Sequence, residues 1–374
     1  MSRAPEPEAD DLDAIAPPQP VFHVEQALLG ALLLDPHRLG DVTGIAADSF
    51  STAAHAALYA AISTLPPPDP AEHAKNTQWL DRVLATGREQ ARGLTASYIH
   101  TLIQVCPWPR HAPAYARMVE AEHARRRLQT AAEHLVQTVH DASLPNPVKT
   151  VLAEADALGA VVDDIASRFP PRAGVLPRTA VPLPRVTPDR SEAVEEEQLL
   201  LATATARPED IDSVRWLLPD DLTLPLHAGL WQCLTALARR SEAVDPVTVL
   251  WEAQQRGLLY DGSEPRDVIR LLAEPAGSLD YWGERTLQRS LLATADQAGR
   301  RIEAYAGDPA NTPFQLVVGA RRSLADIAAI RTRWQHATGP VPTRRPRRAP
   351  PTRAGPPTTT AAVAHTARAA RATR

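Results

Sequence analysis

Glu25-Gln26-Ala27-Leu28-Leu29-Gly30-Ala31-Leu32-Leu33-Leu34-Asp35-Pro36 is a run of helix formers stopped by a proline, and its pattern returns 172 residues later as Glu197-Gln198-Leu199-Leu200-Leu201, leading to Pro208. Between residues 25 and 58, set against 197 to 230, no gap is needed and ten of 34 positions are identical. They include Val42 with Val214, Asp48 with Asp220 and His55-Ala56 with His227-Ala228. Eight of the other 24 positions exchange one apolar residue for another, as Phe50 with Leu222 and Leu39 with Ile211. One offset held over that length marks an internal duplication. Farther along the register drifts: Asp69-Pro70 meets Asp245-Pro246 at 176, and Tyr115 meets Tyr281 at 166, so the loops differ in length.

Around the two copies the composition changes. Residues 1–20 hold five prolines and five acids and read as a disordered lead. Residues 170–190 hold six prolines and four arginines and read as a stiff, extended, solvated linker. Residues 337–374 mix Pro, Thr, Ala and Arg without periodicity and read as a disordered basic tail. Two blocks remain, 21–169 and 191–336, in which Ala, Leu, Glu, Gln and Arg dominate and apolar residues recur at spacings of three and four. The fold class expected is all-α. The row Leu316, Ala320, Leu324, Ile327, Ile330, Trp334 is the clearest stripe. The row Tyr115, Val119, Leu128, Leu135, Val139 carries Glu122 and Arg126 on its opposite face at ion-pair spacing.

Those residues also resemble a family. The opening Glu25-Gln26 and the Leu28-Leu29-Gly30-Ala31-Leu32-Leu33 run are similar to the first helix of the N-terminal domain of DnaB-type replicative DNA helicases. Asp48-Ser49-Phe50, followed by His55 and Tyr59, fits the next element of that family. In the second copy, Asp245-Pro246-Val247-Thr248-Val249-Leu250 and Gln255-Arg256-Gly257-Leu258 resemble the family's middle section, which the first copy reads as having lost. The first copy keeps the later element, Tyr115 to Val119 and Arg126-Arg127-Leu128. The resemblance implies a small helical head followed by a long helical hairpin, twice over, with hairpins at about 113–140 with 147–167 and 281–306 with 312–334. It implies a domain without catalysis that pairs through its hairpins and docks primase, the replicative helicase or a helicase loader. The linker is long enough for the two hairpins to pair within one chain, giving a pseudo-dimer; three such chains would complete a ring, a homo-oligomer of pseudo-dimers.

The family's motor needs a GxxxxGK[ST] loop, whose glycine amides wrap phosphates. This chain has two lysines, Lys75 and Lys149, and neither follows a glycine. No Walker A loop, HExxH, CxxC or nucleophile elbow is present, and no catalytic residue, cofactor or metal is expected. The two cysteines, Cys106 and Cys233, exclude a disulfide framework and read as incidental thiols in a reducing cytoplasm. No apolar run approaches the ~18 residues of a membrane span. His55 and His227 read as helix-end or half-buried packing histidines, against the alternative of partner contacts.

Candidate partner contacts lie on the hairpins: Tyr115, Arg125, Arg126, Arg127 and Tyr281. For the three arginines the nearby Glu120, Glu122 and Glu133 also fit a solvated ion-pair face. The net charge of −4 conceals eight arginines and no acid after residue 336, so the rest carries −12. Arg344, Arg345, Arg347, Arg348 and Arg353 are candidate contacts to DNA or RNA, a salt-sensitive attraction with no Trp or Tyr to add stacking. Three readings stand: a replication-associated docking module, a nucleic-acid-binding accessory acting through the tail, and an inactive relative of a helicase.

Overall fold

The computed structural model describes residues 19–170, 176–183, 190–259 and 264–339; the lead to residue 18 and the candidate arginines of the tail lie outside them. Among the described residues there are helices and no strand. The first head comprises α1 (Pro20–Leu34), α2 (Ala53–Thr64), α3 (Pro70–His73), α4 (Gln78–Gln90) and α5 (Ala96–Val105). Its hairpin is α6 (Ala112–Val139) and α7 (Pro147–Arg168). The second head comprises α8 (Arg190–Ala206), α9 (Pro225–Arg240), α10 (Pro246–Gln255) and α11 (Pro265–Leu271), and its hairpin α12 (Leu279–Gly307) and α13 (Pro313–Thr338). Prolines occupy the first turn of α1, α3, α6, α7, α9, α10 and α11. There the missing N–H costs nothing and the fixed φ favours the helix. The prolines in these first turns are therefore helix starters.

The first-turn devices differ in detail but not in logic. Asp69 and Asp245 each accept two backbone amides at the starts of α3 and α10. The equivalence suggested by those two Asp-Pro pairs does not extend to the helices behind them. In the first head it is α4, not α3, that packs on α2, as α10 packs on α9. The middle section is thus present in both copies: Arg92-Gly93-Leu94 ends the α4 region as Arg256-Gly257-Leu258 ends α10. The four-residue α3 is the insertion.

The hairpins also correct the register. Buried Ala112, Ala116, Val119, Ala124, Leu128, Ala132 and Leu135 of α6 fall on buried Leu279, Gly283, Thr286, Leu291, Ala295, Gly299 and Ile302 of α12, at a constant offset of 167. On α7 and α13 the offset is 165: Val151, Ala155, Leu158, Val162 and Ile165 fall on Leu316, Ala320, Ser323, Ile327 and Ile330. Tyr115 therefore corresponds to Trp282, not to Tyr281; both rings are partly buried against their own head.

The two hairpins pack on each other within the chain. Leu128, Leu135, Val151, Leu158 and Ile165 share one core with Ala295, Ile302, Leu316, Ala320 and Ile327. Each fully buried Leu or Ile there contributes roughly 2 kcal/mol through burial. The pairing is antiparallel, so each hairpin tip meets the other copy's end of the bundle: Val148, just beyond the first tip, enters the second head's core. At the second tip, Phe314 packs edge-on against Phe169, ring centroids 6.1 Å apart.

Candidate docking surfaces

The duplication persists at the level of single bonds. In the first head the Glu25 carboxylate accepts from the Ser51 amide at 2.6 Å, the Ser51 hydroxyl at 2.8 Å and His55 Nδ1 at 2.6 Å. In the second, Glu197 accepts from the Thr223 amide and from His227 Nδ1, both at 2.7 Å. Each latch ties the first helix of a head to the start of the second, and each is buried. A buried carboxylate is tolerated because both of its oxygens meet donors. Burial pushes the Glu197 carboxyl up, but His227, the Thr223 hydroxyl and the Thr223 amide outweigh it and hold the group below its ordinary value. His55 and His227 are thus fully buried latches rather than half-buried packing residues. They are unavailable to partners.

Three further bonds repeat, two at offset 172 throughout and the third with its acceptors at 172 and its donors at 165. Tyr59 Oη donates to the Ile45 carbonyl as Trp231 Nε1 donates to the Leu217 carbonyl. The Ala46 amide donates to Ser49 as the Leu218 amide donates to Asp221. Arg168 on α7 donates to the Gly44 carbonyl, and Arg333 on α13 to the Trp216 carbonyl, so each hairpin is pinned to its own head by the same contact.

The predicted hairpin contacts separate. Arg125 faces the second copy: its guanidinium donates to the carbonyls of Ala306 (3.0 Å), Asp308 (2.7 Å) and Asn311 (2.6 Å), closing the end of α12 and the turn after it. Glu122 pairs with Arg125 at 3.1 Å, not with Arg126. Arg126 instead donates to the Ser49 carbonyl, and Arg127 pairs with Asp164 on α7. The three arginines are therefore tied into the fold rather than forming a solvated face. Tyr115 stacks edge-on with His111 and lies partly against the head core. Tyr281 alone of the five is largely exposed, at 53%.

On the other diagonal, Asp296 accepts from His140 at the first hairpin tip at 2.9 Å. Arg321 pairs with Asp163 at 2.9 Å and Arg331 with Asp156 at 2.7 Å, joining α13 to α7.

The described part of the linker is also built in. Residues 176–183 lie along the second hairpin, where Gln315 donates to the Leu176 carbonyl, Gln297 to that of Pro182 and Arg300 to that of Leu183. Thr179 donates to Asp308 at 2.6 Å, and the Arg178 amide to Asn311 at 3.3 Å. A Cβ on Gly319 would come within 2.6 Å of Pro177, so this glycine is what lets the strap seat. Residues 176–183 of a linker read as solvated are a docked strap, because α12 and α13 offer side-chain donors to carbonyls that proline-rich backbone leaves without partners.

The surface that remains carries exposed apolar side chains at both heads. Val105, Trp108 and Met118 surround the α5–α6 junction, with Arg110 stacked over Trp108. Val247 and Trp251, one turn apart on α10, are 63% and 61% exposed. Cys233 is buried, its thiol pushed up to about 11, which makes it inert at neutral pH. Among the described residues no group of three or more His, Cys, Asp or Glu is placed to hold a metal, and no helix is long and apolar enough to cross a membrane.

No solved structure matches the chain. The family model of the DnaB-like helicase N terminal domain matches it twice over, at residues 16–121 and 189–281. The two stretches cover the two heads and together make more than half of the sequence, and the packing of each head into a hairpin is the architecture that the duplication and the resemblance imply. The chain belongs to the DnaB-like helicase N-terminal domain family and carries that domain in tandem.

Proposed function

We propose that this protein is a non-catalytic, replication-associated docking module: a pre-paired dimer of collar domains on one polypeptide, serving primase, the replicative helicase or a helicase loader. The observation that carries the reading is the intrachain pairing itself. Two hairpins share one core, cross-braced by Arg125 at one end and by Asp296 with His140 at the other. The family's domain pairs through its hairpins between subunits; here one chain completes that pairing. The absence of a glycine-lysine phosphate loop in this sequence supports a role in binding rather than in ATP turnover. The exposed apolar side chains at the two heads differ from one another, so contacts between copies through them would be heterologous, the type from which a ring of pseudo-dimers is built where the rotation closes.

A second reading rests on the eight arginines and no acid after residue 336: a nucleic-acid-binding accessory, with the helical body supplying oligomerisation. One experiment separates the two. Tagged protein, with and without residues 338–374, is used to retain primase, helicase and loader from nuclease-treated host lysate at low and moderate salt. Retention independent of tail and salt supports docking. Retention of nucleic acid alone, lost with the tail, supports the accessory reading and defeats the first.

A further inference from the structure

The two heads differ most where their last helix meets their first. In the first head α5 lies tightly on α1. Gly30 makes this possible: a Cβ there would collide with the Leu102 carbonyl and lie 2.9 Å from Cys106 Cβ. Tyr98 of α5 then reaches the latch, its hydroxyl 2.6 Å from His55 Nε2. In the second head the residue equivalent to Gly30 is Ala202, whose Cβ forbids that approach. The corresponding helix, α11, is shorter, seven residues against ten. The chain after it covers only the C-terminal half of α8, where Thr203 donates to the Ala276 carbonyl at 3.0 Å.

The result is an open groove between the N-terminal half of α8, the start of α9 and α11. Its floor is apolar, made by Leu199, Leu226, Val268 and Leu271. Its rim is acidic: Glu195, Glu264, Asp267 and Glu274, with Arg270 the opposing cation. Arg270 already pairs with Asp267 at 3.5 Å, and the other three carboxylates have no ion pair among the described residues. In the first copy the equivalent place is filled by a helix of the chain itself. In the second, α11 stands at the side of that place and leaves an open groove with a negative rim.

We propose that this groove docks a basic amphipathic helix of a partner protein, one whose apolar face replaces the missing contact on α8 and whose Lys or Arg residues meet the carboxylates of Glu195, Glu264 and Glu274. Helix-in-groove recognition reads apolar anchors at helical spacing, and rim charges of opposite sign set the encounter rate and the choice of partner. The proposal rests on the docking reading above and gives it a specific surface on the second head alone.

The test is a fluorescence anisotropy titration of the full chain with a synthetic labelled helical peptide of repeating Arg-Leu-Leu-Arg units. Two variants at the exposed rim, Glu195→Lys with Glu274→Lys, leave the core untouched, and circular dichroism checks that they fold. The expected result is saturable binding that weakens at least about tenfold in the double variant. It is also expected to weaken in Leu271→Ser, and with a peptide whose leucines are replaced by serine. Equal affinity for the rim variants, or equal affinity for the serine peptide, overturns the proposal. Binding that emerges only after residues 340–374 are removed assigns the groove to the chain's own basic segment and overturns it too. None of these outcomes bears on whether the hairpins or first head retain primase or helicase from lysate, so the two readings fail separately.

Discussion

Ala132 and Gly299 are the same position in the two copies, and they meet where α6 crosses α12: a Cβ on Gly299 would lie 3.4 Å from the Ala132 carbonyl oxygen and 2.6 Å from a Val136 methyl. A pair of equivalent residues in contact marks the pseudo-twofold axis of the chain. Only the smallest side chains fit there, because the Val136 methyl and the Ala132 carbonyl already occupy the space a larger one would need. Gly299→Leu is expected to force the crossing apart and to cost at least about 1–3 kcal/mol. Thermal unfolding should begin at lower temperature, and size exclusion should report a larger hydrodynamic radius while far-ultraviolet helicity persists. An unchanged radius and melting curve would mean that the hairpins are not held at this crossing.

Arg125 carries the second prediction. Its planar guanidinium satisfies three carbonyls of the other copy at once, and the side chain is 13% exposed. Lysine offers the charge but not the fork. Arg125→Lys and Arg125→Ala are both expected to destabilise the paired hairpins, by about 1.5–3 kcal/mol for the alanine if the carbonyls are left dry. Urea unfolding measures this. A lysine variant as stable as the parent would show that charge, not geometry, is what the α12 end requires.

How much of this was legible in advance depends on the kind of interaction. The heads announce themselves because their apolar positions are repeated at one offset, and burial is written in residue type. The hairpin helices are legible for the same reason, from stripes such as Leu316 to Trp334. The one-residue error that paired Tyr115 with Tyr281 arose because two adjacent aromatics, Tyr281 and Trp282, compete for one place, and only burial decides for Trp282. α4 was missed because it shares almost no residue identity with α10. The latches, Arg125 and the strap were hidden for a different reason. Each joins residues from 26 to 186 apart through a carbonyl, amide or carboxylate, and backbone acceptors leave no trace in a sequence.

The Glu197 latch makes stability depend on acid. The folded carboxyl titrates below the ordinary glutamate value of about 4.3, because His227 and Thr223 together outweigh burial. A depressed folded pKa contributes stability that is fully present above the unfolded value and is lost as pH falls through the folded one. The latch therefore adds nothing to pH dependence between pH 6 and 8 through Glu197, and unfolding free energy should fall below about pH 4.3. Glu197→Gln is expected to lower stability at pH 7 by about 1–3 kcal/mol and to flatten the acid limb. Chemical denaturation at a series of pH values checks both parts; an acid limb as steep in the variant as in the parent would place the dependence elsewhere.

Gly319 holds the strap as Gly30 holds α5. A Cβ at Gly319 meets Pro177 at 2.6 Å and the Tyr305 ring at 2.8 Å, so Gly319→Val must lift residues 176–183 from α13 or displace Tyr305. The hairpin itself should survive, since valine costs a helix interior only a few tenths of a kcal/mol more than typical residues and less than glycine. Removing Asn311, which accepts from the Arg178 amide and donates to Thr179 and to the Tyr305 carbonyl, should loosen the same segment without adding bulk. Trypsin reports on this directly, because Arg178 lies within the strap. Cleavage after Arg178 is expected to be slow in the parent and several-fold faster in Gly319→Val and Asn311→Ala, with the melting temperature of the hairpin core shifted far less. Equal cleavage rates in all three would mean that the seven-residue span from Pro177 to Leu183 is not kept down by these contacts, and the bonds from Gln297 and Arg300 would then be the ones that hold it.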